Sequence, residues 1–321
     1  MTDAGGNAAA QRPGRLWRRV GQWTATVLVT WFILDRLGVS VSEVRSLEAR
    51  WWSPDLVGLG GASLLLVACY ALSGALWVGM TRELGGGSLG VGAGVGVYLI
   101  ANLGRYVPGK VWQILGLAYL AGRRGVPSSV ATSAAVLGQA LSLAGAALVG
   151  SFALFSLDGA ERRLAPWVLG IVVAGIVLTL SRGFMQRALG LWTRVLKASE
   201  VPRVPGVTFG LRWSLAYALN WLGYGLAFVL FVAAFGVSAP AGAVASAFVA
   251  AYVLGYLALF APAGIGVREG FLVAFLTGSL GGGAVAVAAL SRLWLTAVEV
   301  VAALAFGGRE LKRNARTGAR A

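Results

Sequence analysis

The chain contains no histidine and a single cysteine, Cys69, among its 321 residues. Without histidine there is no imidazole base, no Ser-His-Asp triad and no His-ligated metal. One cysteine permits neither a disulfide within the chain nor a thiolate cluster around a metal. No cofactor is implied by what remains. Charge is also scarce: Asp, Glu, Lys and Arg make up 12% of residues, about half the share in an ordinary soluble domain. Acids are the scarcer sign, with 12 Asp+Glu against 27 Lys+Arg.

What fills the chain is apolar. Hydrophobic residues make up 58% and the mean hydropathy is +0.77. Runs near the length needed to cross a bilayer, about 20 residues, recur from end to end. The expectation is an all-α, polytopic integral membrane protein, whose length is spent on spans and leaves no room for a soluble catalytic domain. The net charge of +15 would suggest nucleic acid in a soluble protein. Here the bases stand in short segments beside apolar runs, with no basic groove of interleaved aromatics. The positive-inside rule accounts for them, and no nucleic-acid partner is expected.

About six full crossings are expected, near Gly21–Leu37, Leu56–Met80, Val130–Phe155, Leu164–Leu180, Leu211–Phe235 and Ala284–Phe306. Arg12, Arg15, Arg18 and Arg19 precede the first. Asp35-Arg36 closes it without a small-x-small cleavage site, so it reads as a retained helix. The segment with Asp35, Glu43, Glu48 and Asp55 reads as external, and Asp158–Arg163 as a loop without a charge bias. Residues 182–210, with Arg182, Arg187, Arg194, Lys197 and Arg203 against Glu200, read as a cytoplasmic loop; Phe184, Leu189, Trp192, Val195 and Leu196 offer it an interfacial helix. The organisation is then a basic cytoplasmic tail (1–19), one transmembrane domain (20–308) and a second basic cytoplasmic tail (309–321), in the plasma membrane. Trp51, Trp52 and Trp213 fall at span ends as interface anchors.

Two segments, 88–122 and 243–280, are broken in the middle. The first break is Arg105-Tyr106-Val107-Pro108-Gly109-Lys110 and the second Ala261-Pro262-Ala263-Gly264-Ile265-Gly266. Proline donates no backbone hydrogen bond and disfavours helix in the residue before it. The arms are too short for comfortable crossings, so two re-entrant hairpins are expected. Each is flanked by full spans, and the charges give the hairpins opposite orientations. Residues 56–156 therefore match 211–306 turned upside down, the pattern of an inverted-repeat transporter.

Asn102-Leu103-Gly104-Arg105-Tyr106-Val107-Pro108-Gly109-Lys110-Val111-Trp112-Gln113 resembles the first signature of the lysylphosphatidylglycerol synthase transmembrane-region family. Pro262-Ala263-Gly264-Ile265-Gly266-Val267-Arg268-Glu269 resembles its second. The resemblance extends from about residue 20 to 308. In the family's best-known members a soluble aminoacyl-transferase domain follows the membrane region, and the membrane region is held to flip the lipid product. The resemblance implies a translocator without the synthase. It also implies membrane lipids as partners and, as for stand-alone members, an envelope glycosyltransferase nearby.

Charges at membrane depth cost about 2.5–3.5 kcal/mol each on insertion scales. They are the candidates for chemistry. Arg105 and Lys110 flank the first break, and Pro108-Gly109 there could open a helix N-terminus suited to a lipid phosphate; the alternative is that both cations snorkel to the surface. Gly264 and Gly266 permit close backbone approach before Arg268, a second phosphate contact, and Glu269, which either caps the helix or pairs with a buried cation. Arg268 and Glu269 are adjacent and point to different faces. Arg292 and Glu299 share one face, so each needs a partner elsewhere: Glu269 for Arg292, and Arg105 or Lys110 for Glu299. Glu299 could instead relay protons. Asn102, Gln113, Gln139, Asn220, Tyr224, Tyr252 and Tyr256 read mainly as interhelical hydrogen-bonding groups. The leading expectation is a flippase for an anionic phospholipid or lipid-linked intermediate. An integral-membrane transferase with Glu269 or Glu299 as base, and a scaffold for a glycosyltransferase, stay open beside it.

Overall fold

Helix α1 (Leu56–Glu83) begins where Asp55 caps it, its carboxylate accepting from the N–H groups of Val57 at 3.1 Å and Gly58 at 3.0 Å. After it come α2 (Val91–Asn102), a 3-10 turn (Leu103–Tyr106), α3 (Trp112–Gly122), α4 (Ser128–Ser151), α5 (Gly159–Leu180), α6 (Val207–Ala233), α7 (Ala241–Leu257), α8 (Val267–Leu280) and α9 (Gly283–Gly318). The computed structural model describes residues 51, 53–87, 89–106, 112–156, 159–187, 190, 206–258, 261 and 264–318. Among these there is no strand. The first expected crossing, the break residues Pro108, Gly109, Lys110, Pro262 and Ala263, and Leu189, Trp192, Val195 and Leu196 lie outside the described residues, as do the side chains of the C-terminal tail.

Among the described residues four helical stretches are long and apolar enough to cross a membrane: Leu56–Glu83, Ser128–Phe155, Val207–Ala233 and Gly283–Gly308. Ala165–Leu180 and Ala241–Leu257 are shorter apolar helices. The described part of the chain is thus all-helical and of membrane-embedded type. Leu64, Ile171, Leu215, Leu219, Leu293 and Val301 point outward and are exposed, an apolar exterior that suits acyl chains and not water. Two expectations shift. The segment Asp158–Arg163 is no loop from Gly159 onward, because α5 begins there and continues through Pro166. Trp51 is not an interface anchor: it is buried, its ring 5.6 Å from that of Phe235.

Helices α1 and α6 run antiparallel along each other. At one end Asp55 N donates to Ala234 O at 2.7 Å. At the other, Arg212 pairs with Glu83, which also accepts from Trp213 Nε1 at 3.1 Å. The arms α2 and α3 pack together, as do α7 and α8. Several further contacts come in matching pairs: α2 lies on α1 and α7 on α6, α3 on α4 and α8 on α9. Each first arm also crosses the last helix of the other set, α2 against α9 and α7 against α4. Both crossings are tight. A Cβ on Gly96 would come within 2.6 Å of Phe306 O, and one on Gly150 within 2.8 Å of Ala250 N. Helix α5 lies outside this frame, on α4.

Candidate functional site

The first break delivers its charge inward. Helix α2 tightens into the 3-10 turn after Asn102, and the turn aims Arg105 at α9. There the guanidinium pairs with Glu299, which is 0% exposed. Glu299 also accepts from Asn102 Nδ2 at 2.7 Å and Tyr106 OH at 2.7 Å. Arg105 Nη1 donates to Tyr252 OH on α7 at 3.3 Å. A carboxylate without solvent is thus held by three donors from one hairpin, and its cation is shared with the other. Burial this deep is tolerated because charge and lone pairs are met together.

The second break works through its glycines. Gly264 has φ +68°, and a Cβ there would meet Gly255 O at 2.9 Å. A Cβ on Gly255 would meet the Cβ of Arg268 at 2.8 Å. These two glycines let the break and the start of α8 lie directly on α7. Gly266, at φ +83°, precedes α8 and donates its N–H to Glu269 Oε2 at 2.7 Å. The other oxygen of Glu269 lies 3.4 Å from Arg292 Nη1 on α9. Glu269 is therefore both cap and ion-pair partner.

Arg268 stands apart. Its residue is 7% exposed, and its guanidinium lies over the rings of Phe248 at 5.0 Å and Tyr252 at 5.3 Å. Nη2 is buried without a hydrogen-bond partner, and no carboxylate pairs with Arg268 among the described residues. Two aromatic faces supply cation–π attraction of about 2 kcal/mol or more when desolvated. That does not replace the hydrogen bonds a guanidinium loses on leaving water.

Arg105, Arg268 and Arg292 line one cavity of about 100 Å³ between the two hairpins, and no carboxylate is among its lining residues. The remaining polar lining is neutral and includes Gln113, Gln139, Ser142 and Asn220 with six tyrosines. Asn220 donates to Ser73 Oγ at 2.8 Å, Tyr224 and Ser73 are joined at 3.0 Å, and Trp221 Nε1 donates to Ser142 Oγ at 3.0 Å. Of the residues read from the sequence as interhelical hydrogen-bonding groups, Asn102, Asn220, Tyr224 and Tyr252 make such bonds, and they line the cavity together with Gln113, Gln139 and Tyr256. Tyr70, Tyr98, Tyr106 and Ser73 were missed. A periodic signal for part of the wall exists: Tyr70 and Tyr224, Tyr98 and Tyr252, and Ser142 and Thr296 each stand 154 positions apart, as do Pro108 and Pro262. The rings of Tyr70 and Tyr224 meet at 5.6 Å where α1 crosses α6.

Of the expected site residues, the structure gathers Arg105, Gly264, Arg268 and Arg292 on the cavity, with Gly266, Glu269 and Glu299 directly behind them. Pro108, Gly109 and Lys110 lie outside the described residues. Comparison with known proteins finds no family model and no curated protein that matches the chain.

Proposed function

We propose that the chain is a translocase that carries an anionic phospholipid or lipid-linked intermediate across the plasma membrane. The observation that carries this reading is the cavity between the hairpins, with three arginines, no carboxylate and the uncompensated Arg268. Buried cation without counter-ion at membrane depth calls for an anionic ligand. A phosphate head would enter it while the acyl or prenyl chains stay in the bilayer.

The matched packing supports the inverted-repeat reading, in which α1–α4 and α6–α9 are the two halves. Tyrosines at a constant 154-residue separation support it from the sequence side. In this reading α2/α3 and α7/α8 are re-entrant hairpins entering from opposite faces. The crossings number six with the segment near Gly21–Leu37, both termini are cytoplasmic, and one half rocks against the other. The resemblance to the lysylphosphatidylglycerol synthase transmembrane region points the same way. The transferase alternative draws no support: Glu269 and Glu299 are both held by donors, leaving no free base at the cavity.

The test is movement of fluorescent anionic lipids between leaflets of vesicles containing the purified protein. Wild type is expected to move them, and Arg268→Gln to slow movement about tenfold or more, the worth of one charge-assisted hydrogen bond. Size-exclusion chromatography checks that the variant remains folded. Wild type that moves no lipid head would remove the translocase reading and favour the scaffold.

A further inference from the structure

The cavity lining carries two chemically distinct sets of groups. One is cationic, Arg105, Arg268 and Arg292. The other is uncharged and includes Gln113, Gln139 and Ser142, which also line an adjoining cavity of about 40 Å³. Trp221 bridges two tyrosines of the lining, its ring 5.2 Å from Tyr224 and 4.7 Å from Tyr252. Tyr252 in turn underlies Arg268. An aromatic run, Tyr224, Trp221 and Tyr252, thus leads to the guanidinium.

Two of the lining residues carry buried polar atoms without partners. Arg268 Nη2 is a donor, and Asn220 Oδ1, in a residue 3% exposed, is an acceptor. Nδ2 of the same amide is already committed to Ser73 Oγ. Leaving such atoms unmet costs about 1–3 kcal/mol apiece. A ligand that satisfies both presents an anionic acceptor to the arginine and a hydrogen-bond donor to the amide, which an uncharged hydroxyl supplies. Size narrows it further. About 100 Å³ is well below a drug-sized pocket of roughly 300–1,000 Å³ and leaves no room for a lipid's chains.

The lining excludes as well as accepts. A head ending in an ammonium group would face the uncompensated Arg268, while Glu299 and Glu269 are already committed to Arg105 and Arg292. Like charges in a site of reduced dielectric repel by several kcal/mol, which is negative selection against aminoacylated or zwitterionic heads.

We infer that the head accepted here is a phosphate carrying an uncharged, polyhydroxylated group, a phosphosugar or phosphopolyol lipid. The phosphate sits at Arg268, and the hydroxyls reach Asn220, Gln139 and Ser142 over the face of Trp221. This rests on the translocase reading for the use of the site, but its test is binding and needs no transport. The purified protein in detergent is titrated with short-chain phosphatidylinositol, phosphatidic acid and lysylphosphatidylglycerol, and with a polyprenyl phosphohexose, reading tryptophan fluorescence. Phosphatidylinositol or the phosphohexose lipid should bind about tenfold or more tighter than phosphatidic acid, and lysylphosphatidylglycerol weakest. The ratio between the first two identifies whether the polyol belongs to a glycerophospholipid or a prenyl lipid. Gln139→Ala should erase the preference over phosphatidic acid, and Arg268→Lys should weaken all phosphate ligands together. Equal or tighter binding of lysylphosphatidylglycerol, or a preference that survives Gln139→Ala, would overturn the inference. Selective binding without movement in vesicles would sink only the translocase reading. Movement of aminoacylated lipid as fast as of polyol lipid would leave translocation standing and the head-group assignment refuted.

Discussion

Glu299 is the residue on which the first hairpin hangs. It is fully buried, it neutralises Arg105, and Asn102 and Tyr106 bond to the same carboxylate. Removing one partner of such a pair leaves the other charge buried and unmet, which costs about 3–5 kcal/mol. Glu299→Gln is therefore expected to lower the thermal midpoint of the detergent-purified protein sharply, and Arg105→Met comparably. The double variant Arg105→Met/Glu299→Met should lose less than the two single changes together, because no orphan charge remains. Strict additivity would show that the pair does not hold the hairpin. At this scale the sequence was only partly readable. It offered Glu299 two partners, Arg105 and Lys110, and Arg292 one, Glu269; which pairs form depends on where a 3-10 turn aims a side chain. Tyr70, Tyr98 and Tyr106 were not singled out although Tyr224, Tyr252 and Tyr256 were, because only the packing shows which tyrosines face the cavity.

Among elements, the two crossings of a hairpin arm on the last helix of the other set decide how closely the hairpins meet. Gly96 faces the backbone of Phe306, and Gly150 the backbone of Ala250. Ala250 itself stands 154 positions after Gly96, the separation seen for the cavity tyrosines. A main-chain atom cannot rotate away from a new methyl group as a side chain can, so the helices must part. Gly96→Ala and Gly150→Ala should each cost about 1–3 kcal/mol as overpacking. Gly60, on the exposed face of α1, has nothing within 4 Å of a Cβ. Gly60→Ala should instead stabilise by about 0.5–1 kcal/mol through helix propensity. Thermal midpoints of the three variants read both signs in one experiment, and equal effects would contradict the crossing geometry. Composition cannot sort these positions. All 47 glycines look alike in the chain, and only the packing shows which of them permits a contact.

For the molecule as a whole, hydropathy and proline placement made the long helices and the two interrupted segments legible, since a span is a property of a window and not of a partner. The start of α5 was not, because Glu161, Arg162 and Arg163 look like loop although the helix begins at Gly159. Orientation is the property that charge predicts and packing alone does not contain. The antiparallel contact of α1 and α6 does fix which ends lie together. Asp55, Ala234 and Phe235 share one end with Trp51, and Glu83 shares the other with Arg212. Ser238 is exposed just beyond the first end. Gly90 is exposed near the second, beside Leu89, whose carbonyl accepts from Arg82 Nε at 2.9 Å. The positive-inside rule assigns the second end to the cytoplasm, because the basic segment before α6 leads into it. In a Cys69→Ala background, which removes the one native thiol, Ser238→Cys should react with a membrane-impermeant maleimide on intact cells. Gly90→Cys should react only after the membrane is opened. The reverse pattern would turn the whole molecule over and send the expected tails outside. Labelling of both on intact cells would mean that the two ends of α1 and α6 do not face opposite sides of a membrane, and the spanning assignment of these two helices would fall with it.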